Sequence, residues 1–296
     1  MEKTILITGA SSGFGFITTK ILAKAGHKVF ASMRGVDAKN KEKADELRTW
    51  ALQERVFVEP IELDVMSSDS AKAAADYIHQ SIGHIDVLIN NAGMLVFGIT
   101  EAFTADQLLN VFNVNTVGTH RVNQAVLPYM REQEDGLLIY VGSVTANIIS
   151  PFQGPYVASK AAQDKLAETT HYEVSRFGID SVIIQPGAYT QGTNHFPGAQ
   201  KPNREDVVKD YTPIETLPDE LVGNLQRIVA EGEEAHVEDI AKAILYVIET
   251  PKGERNFRMV IDPQHHGAEP INEVAQKMQG EFMERLGIKD LMQVKQ

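Results

Sequence analysis

The stretch KTILITGASSGFGFITTKILAKAG, residues 3–26, decides the fold. Residues 3–8 form a short β-branched run that predicts a buried strand, a glycine-rich turn follows at once, and residues 17–25 have helical character up to Gly26. A strand, a glycine turn and a helix in this order bring backbone N–H groups and a helix N-terminus close to a phosphate group. The glycine spacing is GxxxGxG rather than GxGxxG, so a tight structural turn is the alternative interpretation of this motif alone.

The rest of the chain repeats the alternation of strand and helix. Apolar runs predict further strands at residues 28–33, 56–61, 86–89, 137–142, 179–185 and 256–260. Helical patterns cover residues 39–53, 70–82, 104–131, 155–177, 237–249 and 270–286. Alternation of this kind predicts right-handed crossovers and an α/β fold, a doubly wound, mainly parallel sheet with helices on both faces. Because no linker divides the chain, we expect a single domain over residues 1–296.

The pattern changes over residues 188–236, where glycine, proline and charged residues dominate and a helix is predicted only near 218–231. A long stretch without a strand in a compact domain is usually a lid or a binding loop. We therefore expect residues 188–236 to form a substrate-binding lid, and residues 270–296 to form a C-terminal helix and tail. The candidate side chains for an apolar pocket, which are equally compatible with ordinary packing, are Phe97, Ile148, Phe152, Tyr189, His195, Phe196 and Tyr211.

Composition excludes several classes of function. A formal net charge of -12 disfavours binding to nucleic acid or to an anionic membrane surface. The absence of cysteine excludes disulfides, a thiolate nucleophile and cysteine-ligated metals. The nine histidines show no metal-binding spacing, so no metal site is expected. The N-terminal apolar run meets glycine too early for a signal peptide or a membrane span, and a cytoplasmic location is expected.

The chemistry is carried by the stretch SVTANIISPFQGPYVASK, residues 143–160. Pro155 favours the start of a helix, which places Tyr156 and Lys160 at i and i+4 on one face. A nearby ammonium favours the phenolate and lowers the pKa of the tyrosine, so that the phenol can exchange a proton with a substrate oxygen. Ser143, at the end of a predicted strand, could hydrogen-bond the same oxygen. Taken alone, the Y-x-x-x-K spacing is also compatible with a surface helix pair.

Arg34 indicates which dinucleotide the glycine turn would bind. The strand over residues 28–33 ends in Met33-Arg34, with no acidic residue at this point. In dinucleotide sites a carboxylate here binds a ribose 2′-OH, whereas an arginine accommodates a 2′-phosphate. The residue therefore favours NADP over NAD, and Ser12 could offer a further hydroxyl to that phosphate. A solvated loop arginine among the lysines of residues 39–43 is the alternative.

Three further polar positions follow predicted strands or interrupt a predicted helix. Asp64, before Val65, could accept a hydrogen bond from an exocyclic amine, cap the helix that begins near Ser67 or Ser68, or do both. The run Asn90-Asn91-Ala92-Gly93 lets the backbone pass close beside a cofactor. Asn115, followed by Gly118, lies inside the helical pattern of residues 104–131, where a kink would free a carbonyl group to bind water.

Taken together, these motifs resemble those of the short-chain dehydrogenase/reductase family over about residues 3–187. The resemblance rests on Thr8-Gly9-Ala10-Ser11-Ser12-Gly13-Phe14-Gly15, Asp64, Asn90-Asn91-Ala92-Gly93, Asn115, Ser143, Tyr156-x-x-x-Lys160 and Pro186-Gly187. It implies a Rossmann fold with strand order 3-2-1-4-5-6-7 and a nicotinamide cofactor. It also implies hydride transfer between that cofactor and a ketone, aldehyde or secondary alcohol.

The resemblance also implies residue roles. Tyr156 would be the general acid or base, Lys160 would tune it and bind the nicotinamide ribose, Ser143 would orient the substrate oxygen, and Asn115 would hold a water in a proton relay. The cofactor-binding set expected on this basis is Gly9, Ser11, Ser12, Gly13, Phe14, Gly15, Arg34, Asp64, Val65, Asn91, Ala92, Gly93, Tyr156, Lys160, Pro186, Gly187 and Thr190. A homodimer or homotetramer is implied as well, with the helices over residues 104–131 and 155–177 at the interface.

The sequence departs from the family pattern after Pro186-Gly187. Members commonly place a threonine four residues beyond the glycine to bind the carboxamide, whereas here Gln191 stands at that place, with Thr190 before it and Thr193 after it. The stretches VFASMR and LPYMR are similar to the branch that holds steroid and retinol dehydrogenases. Two other functions stay open: a catalytically silent NADP-binding regulator or scaffold, and an epimerase or dehydratase acting on nucleotide-sugars.

Overall fold

One sheet organises the protein, whose computed structural model describes residues 1–229 and 234–296. Within these residues, seven strands pair in the order β3-β2-β1-β4-β5-β6-β7, and every neighbouring pair is parallel. The strands are β1 (Thr4–Ile7), β2 (Lys28–Met33), β3 (Val58–Glu62), β4 (Val87–Asn90), β5 (Gly136–Val141), β6 (Ile179–Pro186) and β7 (Arg258–Ile261). The predicted fold class and strand order are therefore confirmed.

Helices cover both faces of this sheet. They are α1 (Gly13–Lys24), α2 (Lys41–Glu54), α3 (Ser68–Ile82), α4 (Ala105–Phe112), α5 (Gly118–Gln133), α6 (Gly154–Val174), α7 (Glu205–Asp210), α8 (Leu217–Arg227), α9 (Glu238–Glu249) and α10 (Ala268–Leu286). Side chains of α1, α2 and α9 pack on one face, and those of α3, α5 and α6 pack on the other. Among the described residues, no helix combines the length and the apolar composition that a bilayer crossing requires.

The helix predicted over residues 104–131 is interrupted. A π-helical turn at Asn113–Val117 separates α4 from α5. The buried Asn115 causes the break. Its side-chain amide accepts from the backbone N–H of Met94 (2.8 Å) and donates to the carbonyl of the same residue (3.0 Å). Gly118 follows, where a Cβ atom would lie 3.0 Å from the side chain of Val65. The expected kink is present, but the carbonyl of Asn115 already accepts a bond from the Thr119 hydroxyl.

In its described residues, the segment expected to be a lid, residues 188–236, contains two α-helices, whereas one was predicted. These helices are α7 and α8, and α8 coincides with residues 218–227 of the helix predicted near 218–231. Pro218 starts α8 at its first turn, where a missing N–H costs nothing. Residues 230–233 of this segment lie outside the described residues. The function of the segment as a lid stays a prediction.

Candidate active site

A single cleft of about 960 Å³ gathers most of the predicted site residues at the carboxyl ends of the strands. This edge of an open α/β sheet is where ligands bind, because loops diverge there and leave a crevice. The predicted residues that line the cleft are Gly9, Ser11, Ser12, Gly13, Phe14, Arg34, Asp64, Val65, Asn91, Ala92, Gly93, Ser143, Tyr156, Lys160, Pro186 and Gly187. Gly15, Asn115 and Thr190 are not on its wall.

The glycine turn after β1 leads into α1, a helix without a side-chain N-cap. Gly9 and Gly13 have positive φ angles of 69° and 54°, which favour glycine. Ser12 occupies the N-cap of α1 but makes no side-chain capping bond, so the first backbone N–H groups of α1 stay available to an anion. Asn91 fixes the turn, because its amide nitrogen donates to the carbonyls of Thr8 (2.8 Å) and Gly9 (3.2 Å).

Three cations stand at the far end of the cleft, beyond β2. Arg34, Lys39 and Lys43 all contribute to its lining. Within the parts of the chain that the structure describes, the side chains of Arg34 and Lys39 form no ion pair, whereas Lys43 pairs with Glu46 at 2.8 Å. The nearest acid at the end of β3, Glu62, accepts the backbone N–H groups of residues 35 and 36 instead (2.9 and 2.8 Å). The positive charge is therefore free to face a ligand.

Asp64 faces the cleft and is not the cap of α3. Its Oδ1 accepts the backbone N–H of Met66 at 2.9 Å, and this bond shapes the turn after β3. The cap is Ser67, whose hydroxyl accepts the N–H of Ser70 at 3.2 Å. The capping alternative for Asp64 is thus wrong, because the serine three residues later takes that place.

Ser143, Tyr156 and Lys160 are brought together by β5 and α6. Each is between 5% and 6% exposed, so all three are at the bottom of the cleft. The Ser143 hydroxyl accepts from the Thr145 hydroxyl at 2.9 Å, which orients it at the end of β5. Pro155 lies in the first turn of α6, as predicted, and Lys160 Nζ is 5.9 Å from the centre of the Tyr156 ring.

The electrostatics of this group differ from the sequence expectation. Burial raises the pKa of Tyr156 to about 12, and the hydrogen bond with Ser143 opposes that rise. Burial also lowers the pKa of Lys160 to about 8. The ammonium donates to the carbonyl of Val141 (2.8 Å) and to Gln163 Oε1 (3.0 Å) rather than to the phenol. The expected lowering of the phenol pKa by lysine is absent here, because desolvation outweighs a cation that points elsewhere.

Residues 193–196 line the cleft beside Tyr156. The His195 ring meets the Tyr156 ring edge-on, with 5.7 Å between the centroids. Burial, and secondarily the charge of Lys160, lower the pKa of His195 to about 4, so this imidazole is neutral at physiological pH. Thr193 packs beside Gly13 of the glycine turn, whereas Thr190 is off the cleft wall.

Of the apolar candidates, four line the cleft and three do not. Ile148, Tyr189, His195 and Phe196 form part of the wall. Phe152 and Tyr211 belong to a separate cluster around Ile99, and Phe97 is buried outside the cleft wall. Tyr189 is a packing residue, since it is only 3% exposed and meets the Phe14 ring edge-on.

A clamp after β7 was not found from the sequence. Gln264 bonds both backbone groups of Ala188, accepting from its N–H (2.9 Å) and donating to its carbonyl (2.7 Å). The Asp262 carboxylate, which is shielded from solvent, accepts from the backbone N–H and from the ring Nδ1 of His266, which lines the cleft. The one available signal was an acid, Asp262, two residues after the strand predicted over residues 256–260. Among the described residues, no cluster of three histidine or acidic side chains could hold a metal ion.

The fold and this cleft are those of a class of nucleotide-binding α/β proteins, and a tyrosine and a lysine lie at the bottom of the cleft. The family model for short chain dehydrogenases matches residues 3–201, and the chain belongs to this family of NAD(P)-linked oxidoreductases. This confirms the resemblance stated from the motifs. None of the matches described below assigns a substrate to this chain.

Individual relatives agree with the family assignment. A 3-ketodihydrosphingosine reductase of Bacteroides thetaiotaomicron is 37% identical over 64% of this chain, but the match spans only 65% of that relative. Human 17-beta-hydroxysteroid dehydrogenase type 1 is 31% identical over 85% of this chain and 76% of the relative. A short-chain dehydrogenase structure from Streptomyces avermitilis has a TM-score of 0.73 and 27% identity, covering 97% of this chain and 98% of its own.

Proposed function

We propose that this chain is an NADP(H)-dependent oxidoreductase that interconverts a ketone or aldehyde with an alcohol. One observation carries the proposal: Ser143, Tyr156 and Lys160 line the same cleft as the uncapped N-terminus of α1 and the unpaired Arg34. A phosphate-binding turn and a proton donor in one crevice are what reduction of a carbonyl by a dinucleotide requires.

The residues present fit the dinucleotide along its whole length. The N-terminus of α1 would hold the pyrophosphate, and Asp64 would accept from the adenine amine. Arg34 and Lys39 would hold the 2′-phosphate, since both are exposed on the cleft wall and neither has an ion-pair partner among the described residues. Lys160 would bind the nicotinamide ribose. When bound, the nicotinamide supplies a hydride in reduction and accepts one in oxidation.

The protein supplies the proton. With a pKa of about 12, Tyr156 is protonated throughout the physiological range and can donate to the carbonyl oxygen that gains charge during reduction. The Ser143 hydroxyl, oriented by Thr145, donates a second hydrogen bond to that oxygen and positions it. That Lys160 stabilises the phenolate left by this donation stays a prediction, because its ammonium donates to Val141 and Gln163 in this structure. Asn115 holds Met94 and Ser159 in place around this group, and its place in a proton relay stays a prediction.

The substrate that fits the mouth of the cleft has an apolar body. Ile148 and Ile149 lie on one part of the wall, and Leu221, Leu225 and Ile228 contribute from α8 and the residue after it. Such side chains bind hydrocarbon, because its transfer from water is favourable in proportion to area. Two of the relatives are named for a keto-lipid base and a steroid, which supports the same substrate class. A cytoplasmic location stays a prediction.

The test is the change of NADPH absorbance with a panel of ketones that differ in length and shape, run in parallel with NADH. We expect turnover with NADPH and increasing kcat/KM as the apolar body lengthens. The reason is that burial of each added methylene contributes about 0.8 kcal/mol to binding. Binding of NADPH without turnover of any ketone or alcohol would favour the silent regulator instead.

Replacing Arg34 by aspartate should reverse the cofactor preference. The change removes a charge-assisted hydrogen bond to the 2′-phosphate, worth about 1.5–3 kcal/mol, and adds a carboxylate that repels it. We expect the ratio of kcat/KM for NADPH over NADH to fall about 100-fold or more. Lys72→Asp is the control. This substitution makes the same change of charge at an exposed lysine of α3 that does not line the cleft. An unchanged ratio in Arg34→Asp would refute the 2′-phosphate assignment.

A further inference from the structure

The C-terminal helix α10 carries an apolar stripe that nothing in the described structure covers. Its side chains are between 41% and 62% exposed, and they recur every three or four residues, which places them along one face. The apolar stripe consists of Ile271, Val274, Met278, Phe282 and Leu286. A contiguous apolar patch on a soluble protein marks an interaction surface, because leaving it in water is unfavourable.

A different face of α10 fixes the helix to the protein. Ala268 and Met283 are buried, and the side chain of Asn272 donates to Gln185 Oε1 at 2.7 Å and accepts from Asn147 at the same distance. The helix is therefore held in place as a rigid element. The stripe is not needed for that attachment and remains available to a partner.

The charges beside the stripe indicate which partner fits. Lys277 and Glu281 are one turn apart on the same flank, and both are exposed. In the part of the chain that the structure describes, neither forms an ion pair. A mixed pair of opposite charges is unsuited to an anionic membrane, which selects a lysine- and arginine-rich flank. The net charge of -12 of the whole chain also repels such a surface.

A second copy of α10 covers the apolar stripe and pairs the flanking charges in a single alignment of the two helices. When two helices pair antiparallel about a two-fold axis, the same flank of each helix faces the other copy. With the axis beside Gln279, Lys277 of each copy stands opposite Glu281 of the other. The same register places Met278 within one turn of Met278 and Phe282 of the second copy. It also places Val274 and Ile271 within one turn of Phe282 or Leu286 of the second copy.

We propose that α10 is a self-association surface, on which two copies of this chain pair as antiparallel helices. This surface is separate from the interface that the family resemblance implies at the helices over residues 104–131 and 155–177. The proposal also does not depend on the proposed function. A single helix pair buries roughly 1,000 Å², at the lower limit of stable interfaces. We therefore expect this contact to form reversibly, with a dissociation constant in the micromolar range.

The first test uses the absence of cysteine from the chain, which makes any engineered thiol unique. Met278→Cys places one sulfur beside the two-fold axis of the proposed pair, so mild oxidation should yield a disulfide-linked dimer on a non-reducing gel. Leu52→Cys, on an exposed position of α2, is the matched control. No covalent dimer from Met278→Cys, or equal amounts from both variants, would overturn the proposal.

The second test exchanges the flanking charges and is read by sedimentation velocity over a range of concentrations. Lys277→Glu alone and Glu281→Lys alone each create two like-charge contacts across the axis, so each should weaken the association at least threefold. The double variant restores opposite charges and should restore the original dissociation constant within a factor of two. If the double variant is as weak as the singles, or the singles equal the wild type, the antiparallel register is wrong.

Discussion

Phenylalanine in place of Tyr156 is expected to lower kcat for ketone reduction by about 10³-fold, since a positioned general acid contributes roughly 10²–10⁴-fold to a rate. The substitution removes only the phenol oxygen and keeps the ring that packs against His195. Affinity for NADPH should stay within about threefold, because the remaining contacts of the cofactor are unaffected. Stopped-flow or steady-state NADPH absorbance measures the first quantity, and fluorescence titration of NADPH measures the second.

The control for this substitution is the same change at a distant tyrosine. Tyr77→Phe deletes a hydroxyl that bonds Glu59 on the surface, and it should leave kcat unaltered. A Tyr156→Phe variant with near-wild-type turnover would show that the proton comes from another group. Equal loss in both variants would indicate a general loss of folded protein instead.

Local patterns made the glycine turn and the pairing of Tyr156 with Lys160 on one helix face predictable. Gly9 and Gly13 signal positive φ angles, and the strand and helix around them are set by residues adjacent in sequence. Tyr156 and Lys160 share a helix face because of their spacing alone, so placing them in one cleft required only the start of α6.

Features that depend on contacts distant in sequence were not predictable. The electrostatic state of Tyr156 follows from burial by residues 193–196 and from Lys160 turning to Gln163, and neither contact leaves a mark in the local pattern. The clamp on Ala188 comes from Gln264, more than seventy residues away, in a loop with no motif. Of the three cations at the far end of the cleft, only Arg34 was identified from the sequence, and the lysines of residues 39–43 entered only as the surroundings of a solvated arginine in the alternative interpretation.

Breaking the buried ion pair of Arg258 should cost more stability than any surface substitution. The Arg258 and Asp164 side chains are 8% and 4% exposed and 2.5 Å apart, and Arg258 also donates to Glu168 at 3.0 Å. Arg258→Met would leave the Asp164 carboxylate buried with only a bond from Gln185. We expect the free energy of unfolding to fall by about 3–5 kcal/mol. Thermal and urea unfolding would measure a loss on the order of 10 °C in Tm.

Two variants separate the buried charge from a general effect of losing an arginine. Arg176→Met breaks an ion pair whose side chains are 66% and 58% exposed, so it should cost less than about 1 kcal/mol. The double variant of Arg258→Met with Asp164→Leu removes the stranded carboxylate and should recover most of the loss, since apolar replacement of both partners is often neutral. A small effect of Arg258→Met alone, or no recovery in the double variant, would contradict this account.

The same cluster sets a pH dependence with a definite sign. Burial would raise the pKa of Glu168, but hydrogen bonds from Lys165 and Arg258 lower it to about 2. Its unfolded value is about 4.3, so its stabilising contribution is complete above that pH and is lost as the pH falls towards 2. Because Arg258→Met removes one of the two cationic partners, the folded pKa of Glu168 should move back towards its unfolded value. The urea midpoint of the variant should then fall less steeply between pH 4.5 and pH 2.5 than that of the wild type, whereas an identical slope would mean that Lys165 alone holds the carboxylate ionised.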